Sequence, residues 1–242
     1  MDGQERNARF ARALIGLRSL ILDGTFEAGA RLTEAALADR LGLSRTPMRQ
    51  AMDRLADEGL LERAETGGMR VATFSMADIV DAIELRGVLE GTAARLAAER
   101  GPDAAAMAGM RAALDGLDEA LADPFDFPAY VRHNGAFHDD LARLAGSALV
   151  AREVERAKRL PAASPTAFLQ RQELYPDFRA SLGRAQHQHR AIASAIAARE
   201  GARAEALARE HARLARANLE YVMRERPGLA GRVPGLALVC DN

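Results

Sequence analysis

Four polar side chains in the second half of the chain lie at spacings that suit one metal ion: Asn134, His138, His189 and His211. Asn134 and His138 are four residues apart, so on a helix they share one face. The stretch from His189 to His211 is long enough for two antiparallel helices with a turn between them. Imidazole is the commonest protein ligand for zinc, nickel and similar ions, and three imidazoles with room for more ligands describe an open site. The chain has five histidines, so the spacing alone leaves the choice among them open.

Composition limits the classes of protein to which the chain can belong. Its 242 residues, 48% of them hydrophobic, suffice for one large domain or two ordinary ones with packed cores. The net charge of −1 gives no bulk attraction to nucleic acid or membrane, so any DNA contact must come from a local basic surface. No early apolar run resembles a signal peptide, and no uncharged stretch is long enough to span a bilayer. The single cysteine, Cys240, fits a reducing cytoplasm, so we expect a cytoplasmic protein without a membrane partner.

The N-terminal part of the chain shows the order helix, helix, short turn, helix, hairpin. Apolar periodicity and capping residues predict three helices, at 8–22, 33–42 and 44–59. Two short apolar runs, 60–63 and 69–72, then flank a glycine-bearing turn at 65–68, which predicts a β-hairpin. Together these elements predict a winged helix-turn-helix domain over residues 1–75.

Residues 76–227 are predicted to be all-helical. Ser75 is a candidate N-cap for a long helix at 76–100. Further helices are predicted at 103–122, 128–145, 147–159, 175–199 and 202–226. The alanine-rich composition favours close packing in an antiparallel bundle, and residues 228–242 are predicted to form a C-terminal surface tail. The expected fold class is therefore mostly α, with a winged helix-turn-helix followed by an all-α antiparallel bundle.

Two parts of the sequence resemble one family of proteins. The run LGLSRTPMRQAMDRLADEGLL at 41–61 resembles the DNA-binding domain of GntR-type bacterial transcription regulators. ELRGVLEGTAARLAAER at 84–100, NGAFHDDLARLAGSALV at 134–150 and QHRAIASAIAAREGARAEALAREHARL at 188–214 resemble the helical, metal-binding FCD effector domain of the FadR-like subfamily. The two resemblances follow each other in the expected order and cover nearly the whole chain.

The resemblance implies which residues of the first domain contact DNA. Ser44, Arg45, Thr46 and Arg49 open the recognition helix, where hydroxyls and backbone N–H groups can hold phosphates. Arg45 and Arg49 share one face, so one or both can pair bidentately with guanine in the major groove. In the wing, Gly68 allows the backbone to approach the minor groove and Arg70 is placed to reach a phosphate. Arg and acidic residues balance in number over residues 1–75, so we expect modest non-specific affinity for DNA.

The resemblance also makes the choice among the histidines. In this subfamily an Asp or Asn precedes a His by four residues and two more His follow on the last two helices, which matches Asn134, His138, His189 and His211; His133 and His187 do not match and are expected at the surface. Many relatives carry Asp where this chain has Asn134, so the protein ligands here are all neutral. The ion then keeps its charge for an exogenous anion.

Two further residues are implied to bind an effector. Arg86 and Glu90 are four apart and read alone as a surface ion pair, but the resemblance implies that Arg86 faces the cavity and binds a carboxylate. Asn218 lies two turns beyond His211 on the same helix face and is expected to line that cavity too.

These observations favour a cytoplasmic, metabolite-responsive transcription regulator rather than an enzyme. We expect a homodimer that reads a palindromic operator, with a divalent metal, zinc or nickel, that binds a small carboxylate metabolite. One alternative is a metal-dependent hydrolase or hydratase in which the open site activates water and Asp139, Asp140 or Glu90 is the base. The other is a constitutive DNA-binding protein with a structural metal, which loss of operator binding on adding the effector would exclude.

Overall fold

The computed structural model describes residues 3–64, 67–102, 104–160, 163–165, 176–225 and 235–240. The chain divides into two compact units: Met1–Ile79 with Leu160–Ala162 and Gly228–Asn242, and Val80–Arg159 with Ala163–Pro227. Predicted features at 65–66, 103, 161–162, 166–175, 226–234 and 241–242 lie outside the described residues. The boundary after Ile79 falls inside a helix, four residues beyond the predicted one at 75.

The expected fold class is confirmed. The elements in chain order are α1 (Gly3–Leu22), β1 (Arg31–Leu32), α2 (Glu34–Leu41), α3 (Arg45–Asp57), β2 (Leu61–Arg63), β3 (Met69–Val71), α4 (Met76–Arg100), α5 (Ala104–Leu121), α6 (Phe127–Leu144), α7 (Ala148–Ala157), α8 (Pro176–Ala197), α9 (Gly201–Glu225) and a 3-10 turn, η1 (Leu236–Leu238). Among the described residues, no helix combines the length and apolarity needed to cross a membrane.

The first unit is a winged helix-turn-helix. Thr33 caps α2 by accepting a hydrogen bond from the amide of Ala36, and Gly42 ends it with a positive φ of 62°, a conformation that glycine adopts without strain. The predicted hairpin is present as β2 and β3, which pair antiparallel. The sequence analysis missed β1, a two-residue strand that pairs with the other edge of β3. Two residues carry no alternation pattern, so only the distant pairing reveals this strand.

The C-terminal segment corrects one prediction. Residues 228–242 are predicted as a surface tail, but in the described part, 235–240, Leu238 is fully buried in the winged-helix core and Leu236 is 5% exposed. The backbone is also paired, because the amide of Phe74 donates to the Leu238 carbonyl and the amide of Cys240 donates to the Phe74 carbonyl. This segment is therefore part of the first unit.

The second unit is a helical bundle with an alanine-rich core. Helices α5 and α6, α8 and α9, and α5 and α8 pack against one another. Glycine allows close helix approach at two positions of α4: a Cβ added to Gly87 would lie 2.7 Å from the Cβ of Ala212, and one added to Gly91 would lie 3.1 Å from the Glu205 carbonyl oxygen. The absence of a Cβ at these two positions therefore allows α4 to lie close to α9, and both helices carry predicted site residues.

Candidate functional site

Three histidines from three helices converge in the second unit. His138 on α6, His189 on α8 and His211 on α9 are all buried, and each offers a ring nitrogen that lies within 4.8 Å of the other two. The Nε2 atoms of His189 and His211 are 3.0 Å apart. The structure thus brings together the three histidines chosen in the sequence analysis.

The opposite edge of each imidazole faces an oxygen of another side chain. Nδ1 lies 2.9 Å from Glu90 Oε1 in His138, 3.2 Å from Gln186 Oε1 in His189 and 3.1 Å from Gln188 Oε1 in His211. The carboxylate of Glu90 and the amide oxygen of Gln186 accept hydrogen bonds, so Nδ1 of His138 and Nδ1 of His189 each carry the hydrogen that they donate. The free lone pair of these two rings is then on Nε2, as in metal sites where an outer group fixes the ligand tautomer.

Burial keeps two of the rings neutral. It lowers the pKa of His189 well below its usual value, with His211, His138 and Arg86 adding to the effect. Burial, followed by electrostatic interactions with His138 and Arg86, lowers the pKa of His211 to about 3. Neutral imidazole is the form that donates a lone pair to a metal.

Arg86 and Glu90 form a buried pair beside the histidines, not a surface one. Their side chains are 2% and 1% exposed, with Arg86 Nη1 3.3 Å from Glu90 Oε2. Burial alone would raise the pKa of Glu90, but electrostatic interactions with His138 and Arg86, together with the hydrogen bond from His138, outweigh it and lower that pKa, so the carboxylate stays ionised. Among the described residues Arg86 Nε has no hydrogen-bond partner, although it is buried.

A small cavity of about 40 Å³ adjoins the cluster, room for roughly three water molecules. Its lining includes His138, His211 and the other predicted ligand and effector residues, Asn134, Arg86 and Asn218. Asn134 is 4% exposed, and its amide nitrogen lies 3.5 Å from the Pro165 carbonyl oxygen. Asn218 Oδ1 accepts a hydrogen bond of 3.4 Å from Ser181.

The donor set fits a transition-metal ion. Tetrahedral zinc with Zn–N bonds of about 2.0–2.1 Å separates two ligand nitrogens by about 3.3 Å, close to the 3.0 Å between His189 and His211. Three imidazole ligands favour zinc or nickel over hard, oxygen-preferring ions.

Sequence reasoning missed the partners that orient the rings. Glu90 was considered as a member of a surface pair and as a possible base, but His138 and Arg86 hold its carboxylate. Gln186 precedes His189 by one helical turn, a spacing that could have indicated contact. Gln188 gave no local signal, because it lies on α8 and its partner His211 lies on α9.

The remaining histidines and acids have other roles. His187 is exposed, as expected, whereas His133 is half-buried and its ring lies against Gly116 of α5. Asp139 pairs with Lys158 and Asp140 pairs with Arg143. The described residues therefore contain no free base among the three that the enzyme alternative requires.

The predicted DNA-contact residues of α3 form an exposed surface on the first unit. Ser44 is extended just before the helix, and Ser44, Arg45, Thr46 and Arg49 are all exposed, whereas Pro47 and Met48 between them are buried. Arg49 donates to both oxygens of Glu34, at 2.7 and 2.9 Å. Arg45 makes no hydrogen bond or ion pair with the described residues.

The predicted DNA-contact residues of the wing, Gly68 and Arg70, each lie beside a charged side chain of the first unit. Gly67 and Gly68 have φ values of 83° and 88°, which L-residues rarely adopt. The Arg31 side chain donates to the Gly67 carbonyl at 2.7 Å and lies beside Gly68. Arg70 is exposed, but it pairs with Glu62, its neighbour across the hairpin, at 2.7 Å.

Comparison with known proteins places both units in one family. The model of the FCD domain matches residues 81–214, and that of the bacterial regulatory proteins of the gntR family matches residues 12–71. The chain belongs to the GntR family. It is a DNA-binding transcription regulator of the GntR type with an FCD domain.

Relatives agree with this assignment, and a solved structure has a similar fold. The chain is 30% identical over 202 residues to the HTH-type transcriptional repressor GlaR of Escherichia coli K12, covering 81% of this chain and 88% of the relative. It is 33% identical over 146 residues to an uncharacterised HTH-type transcriptional regulator of Agrobacterium vitis, covering 60% and 85%. The fold is similar to that of E. coli McbR/YncC, with a TM-score of 0.64 at 19% identity over 90% of this chain and 98% of that one. The relatives are named as regulators, in agreement with the prediction that this GntR protein is not an enzyme.

Proposed function

We propose that this GntR-family regulator is metabolite-responsive: its helical unit binds a divalent metal ion, zinc or nickel, and through it a small carboxylate that changes operator binding. The observation that carries the proposal is the convergence of three buried imidazoles, with ring nitrogens that lie within 4.8 Å of one another, beside a cavity that contains a buried arginine. An arginine whose Nε has no partner is a donor site for an anion.

His138, His189 and His211 would hold the ion, with Asn134 as a neutral oxygen ligand. Such an ion, when bound, offers positive charge and an open position to a carboxylate. The sequence predicts a site whose protein ligands are all neutral, but Glu90 adds a negative charge next to one of them. Its ionised carboxylate accepts a hydrogen bond from His138. Arg86 offsets that charge, so the cavity still favours an anion.

Arg86 would hold the effector carboxylate, with Asn218 offering a further polar contact. The small volume of the cavity favours an acid of few heavy atoms. Arg86 would keep one guanidinium nitrogen on Glu90 and direct the rest of its fork to the ligand.

On the first unit, Ser44, Arg45, Thr46 and Arg49 would contact the operator, with Gly68 and Arg70 at the wing. One recognition helix reads few base pairs, so we propose that two copies of the chain bind a palindromic site. In support, Leu85 and Val88 leave an apolar patch exposed on α4, with exposures of 48% and 39%.

Metal analysis of the full-length protein tests the first half of the proposal. We expect His138→Ala, His189→Ala and His211→Ala each to lose bound metal and to melt at a lower temperature when metal is present. His187→Ala is the matched control, since this exposed histidine lies on the same helix as His189. Equal metal content in all four variants would exclude the ligand set.

Calorimetric titration with a panel of small hydroxy and dicarboxylic acids tests the effector half. Arg86→Met should weaken acid binding while metal content stays near that of the wild type. Asn134→Asp should tighten the metal and weaken the acid, because the new negative charge opposes the incoming one. An acid that binds without changing operator affinity in gel-shift titrations would instead indicate a constitutive DNA-binding protein.

A further inference from the structure

The side-chain amide of Gln186 connects α5 to the histidine cluster. Its Nε2 donates to the Leu114 carbonyl at 2.9 Å and to Asp118 Oδ1 at 2.7 Å, and its Oε1 faces Nδ1 of His189 at 3.2 Å. Gln186 is 4% exposed, so water has little access to replace these bonds. Asp118 is itself held by Arg190, whose Nε donates to Asp118 Oδ2 at 2.8 Å.

The partners of this amide allow only one orientation. The Leu114 carbonyl and the Asp118 carboxylate both accept hydrogen bonds and cannot donate them. Exchanging the positions of the amide oxygen and nitrogen would place the oxygen against two other oxygens and the NH₂ group against His189. The oxygen of Gln186 must therefore face His189, and Nδ1 of that ring must carry the hydrogen.

The other two histidines are oriented by different means. His138 faces the buried carboxylate of Glu90, whose negative charge makes it the acceptor. His211 faces Gln188, which is half-buried and has no second described partner that fixes its amide. Only at His189 does the tautomer depend on a neutral amide whose direction a second helix determines.

We propose that Gln186, oriented by Asp118 and the Leu114 carbonyl, is a positioning residue that fixes His189 as the Nδ1–H tautomer and so sets the metal affinity of the cluster. The part about affinity rests on the proposed metal function, whereas the part about the tautomer does not. Groups that orient a ligand from outside typically contribute about 10–100-fold to metal affinity.

The first test is the tautomer of His189 in the metal-free, full-length protein, read from the ring ¹⁵N resonances of histidine-labelled protein. The chain has five histidines, and His189→Asn assigns the signal. We expect protonation at Nδ1 in the wild type and a loss of that preference in Gln186→Met, which keeps the length of the side chain without its polar atoms. Protonation at Nε2 in the metal-free wild type would overturn the proposal without recourse to any variant.

The second test is competitive zinc titration of the same proteins. We expect Gln186→Met to bind zinc at least about tenfold more weakly than the wild type. Gln188→Met is the matched control, and we expect a smaller loss because water can replace this half-buried amide at His211. Equal losses in the two variants, or no loss in Gln186→Met, would refute the positioning role. If the wild type binds no zinc while its tautomer is as expected, the metal function fails and the orientation of His189 stands.

Discussion

The close approach of α4 and α9 makes Gly87→Ala an informative perturbation. The added Cβ would lie 2.7 Å from the Cβ of Ala212, whereas carbon atoms pack at about 3.5–4.0 Å. Both atoms are attached directly to helix backbone, so neither can rotate away. The two helices must therefore separate by roughly 1 Å at this point, given that optimum.

Two opposing effects determine the stability of the variant. Alanine in a helix is favoured over glycine by roughly 0.5–1 kcal/mol. Overpacking a well-packed interior costs about 1–3 kcal/mol. We expect the clash to win, because the contact is between backbone-fixed carbons and not with the end of a flexible side chain.

Gly183→Ala on α8 is the matched control, because a Cβ there meets nothing within 4 Å. It should gain the helix preference alone, so the difference between the two variants measures the clash, about 1–3 kcal/mol. That corresponds to a melting temperature roughly 2–12 °C lower for Gly87→Ala than for Gly183→Ala. Thermal unfolding followed by circular dichroism in the presence of a chelator provides the comparison.

Metal affinity gives an independent readout of the same displacement. Ala212 follows His211 in α9, so a shift of that helix moves a proposed ligand relative to His189. We expect Gly87→Ala to bind zinc more weakly and Gly183→Ala to bind it as the wild type does. If Gly87→Ala is as stable as Gly183→Ala, the packing argument at this contact is wrong.

Four further predictions concern the winged-helix unit and the start of α4. Arg45→Ala should weaken operator binding by about 1–3 kcal/mol if Arg45 contacts a base. Glu34→Gln should raise the affinity for scrambled DNA, because it removes a negative charge and releases Arg49. Gel-shift titrations in which neither variant differs from the wild type would contradict both predictions. Leu238→Ala should lower the free energy of unfolding of the first unit by about 2–5 kcal/mol, since a fully buried side chain is removed. Unchanged unfolding by denaturant would show that the C-terminal segment adds nothing to this core. Hydrogen bonds from Ser75 lower the pKa of Asp78 below its usual 3.8. The ionised Asp78 therefore stabilises the folded protein above pH 3.8, and this stabilisation is lost as the pH falls further. Asp78→Asn should reduce the loss of stability at acid pH in a series of melting curves.

The sequence determined much of the fold because its signals are local. Apolar periodicity, Thr33 before α2 and Gly42 after it fix helices within a few residues of chain, and four-residue spacing is enough to put Asn134 and His138 on one face. The same periodicity gave the bundle helices to within a few residues at the described ends. The choice of His138, His189 and His211 needed the family resemblance, since no local pattern distinguishes them from His133 and His187.

Only the tertiary structure decided how these residues are partnered. Glu90 on α4 meets His138 on α6, Gln188 on α8 meets His211 on α9, and Glu34 on α2 holds Arg49 on α3. The C-terminal segment is buried in the first unit because its backbone pairs with Phe74, from which the whole helical bundle separates it in sequence. Such contacts join positions far apart in the chain, and they depend on burial and on the proximity of charges, which arise only after the helices have packed. A side chain's type is a property of the sequence, but its tautomer, its ionisation and its freedom to bind a ligand are properties of the folded surroundings.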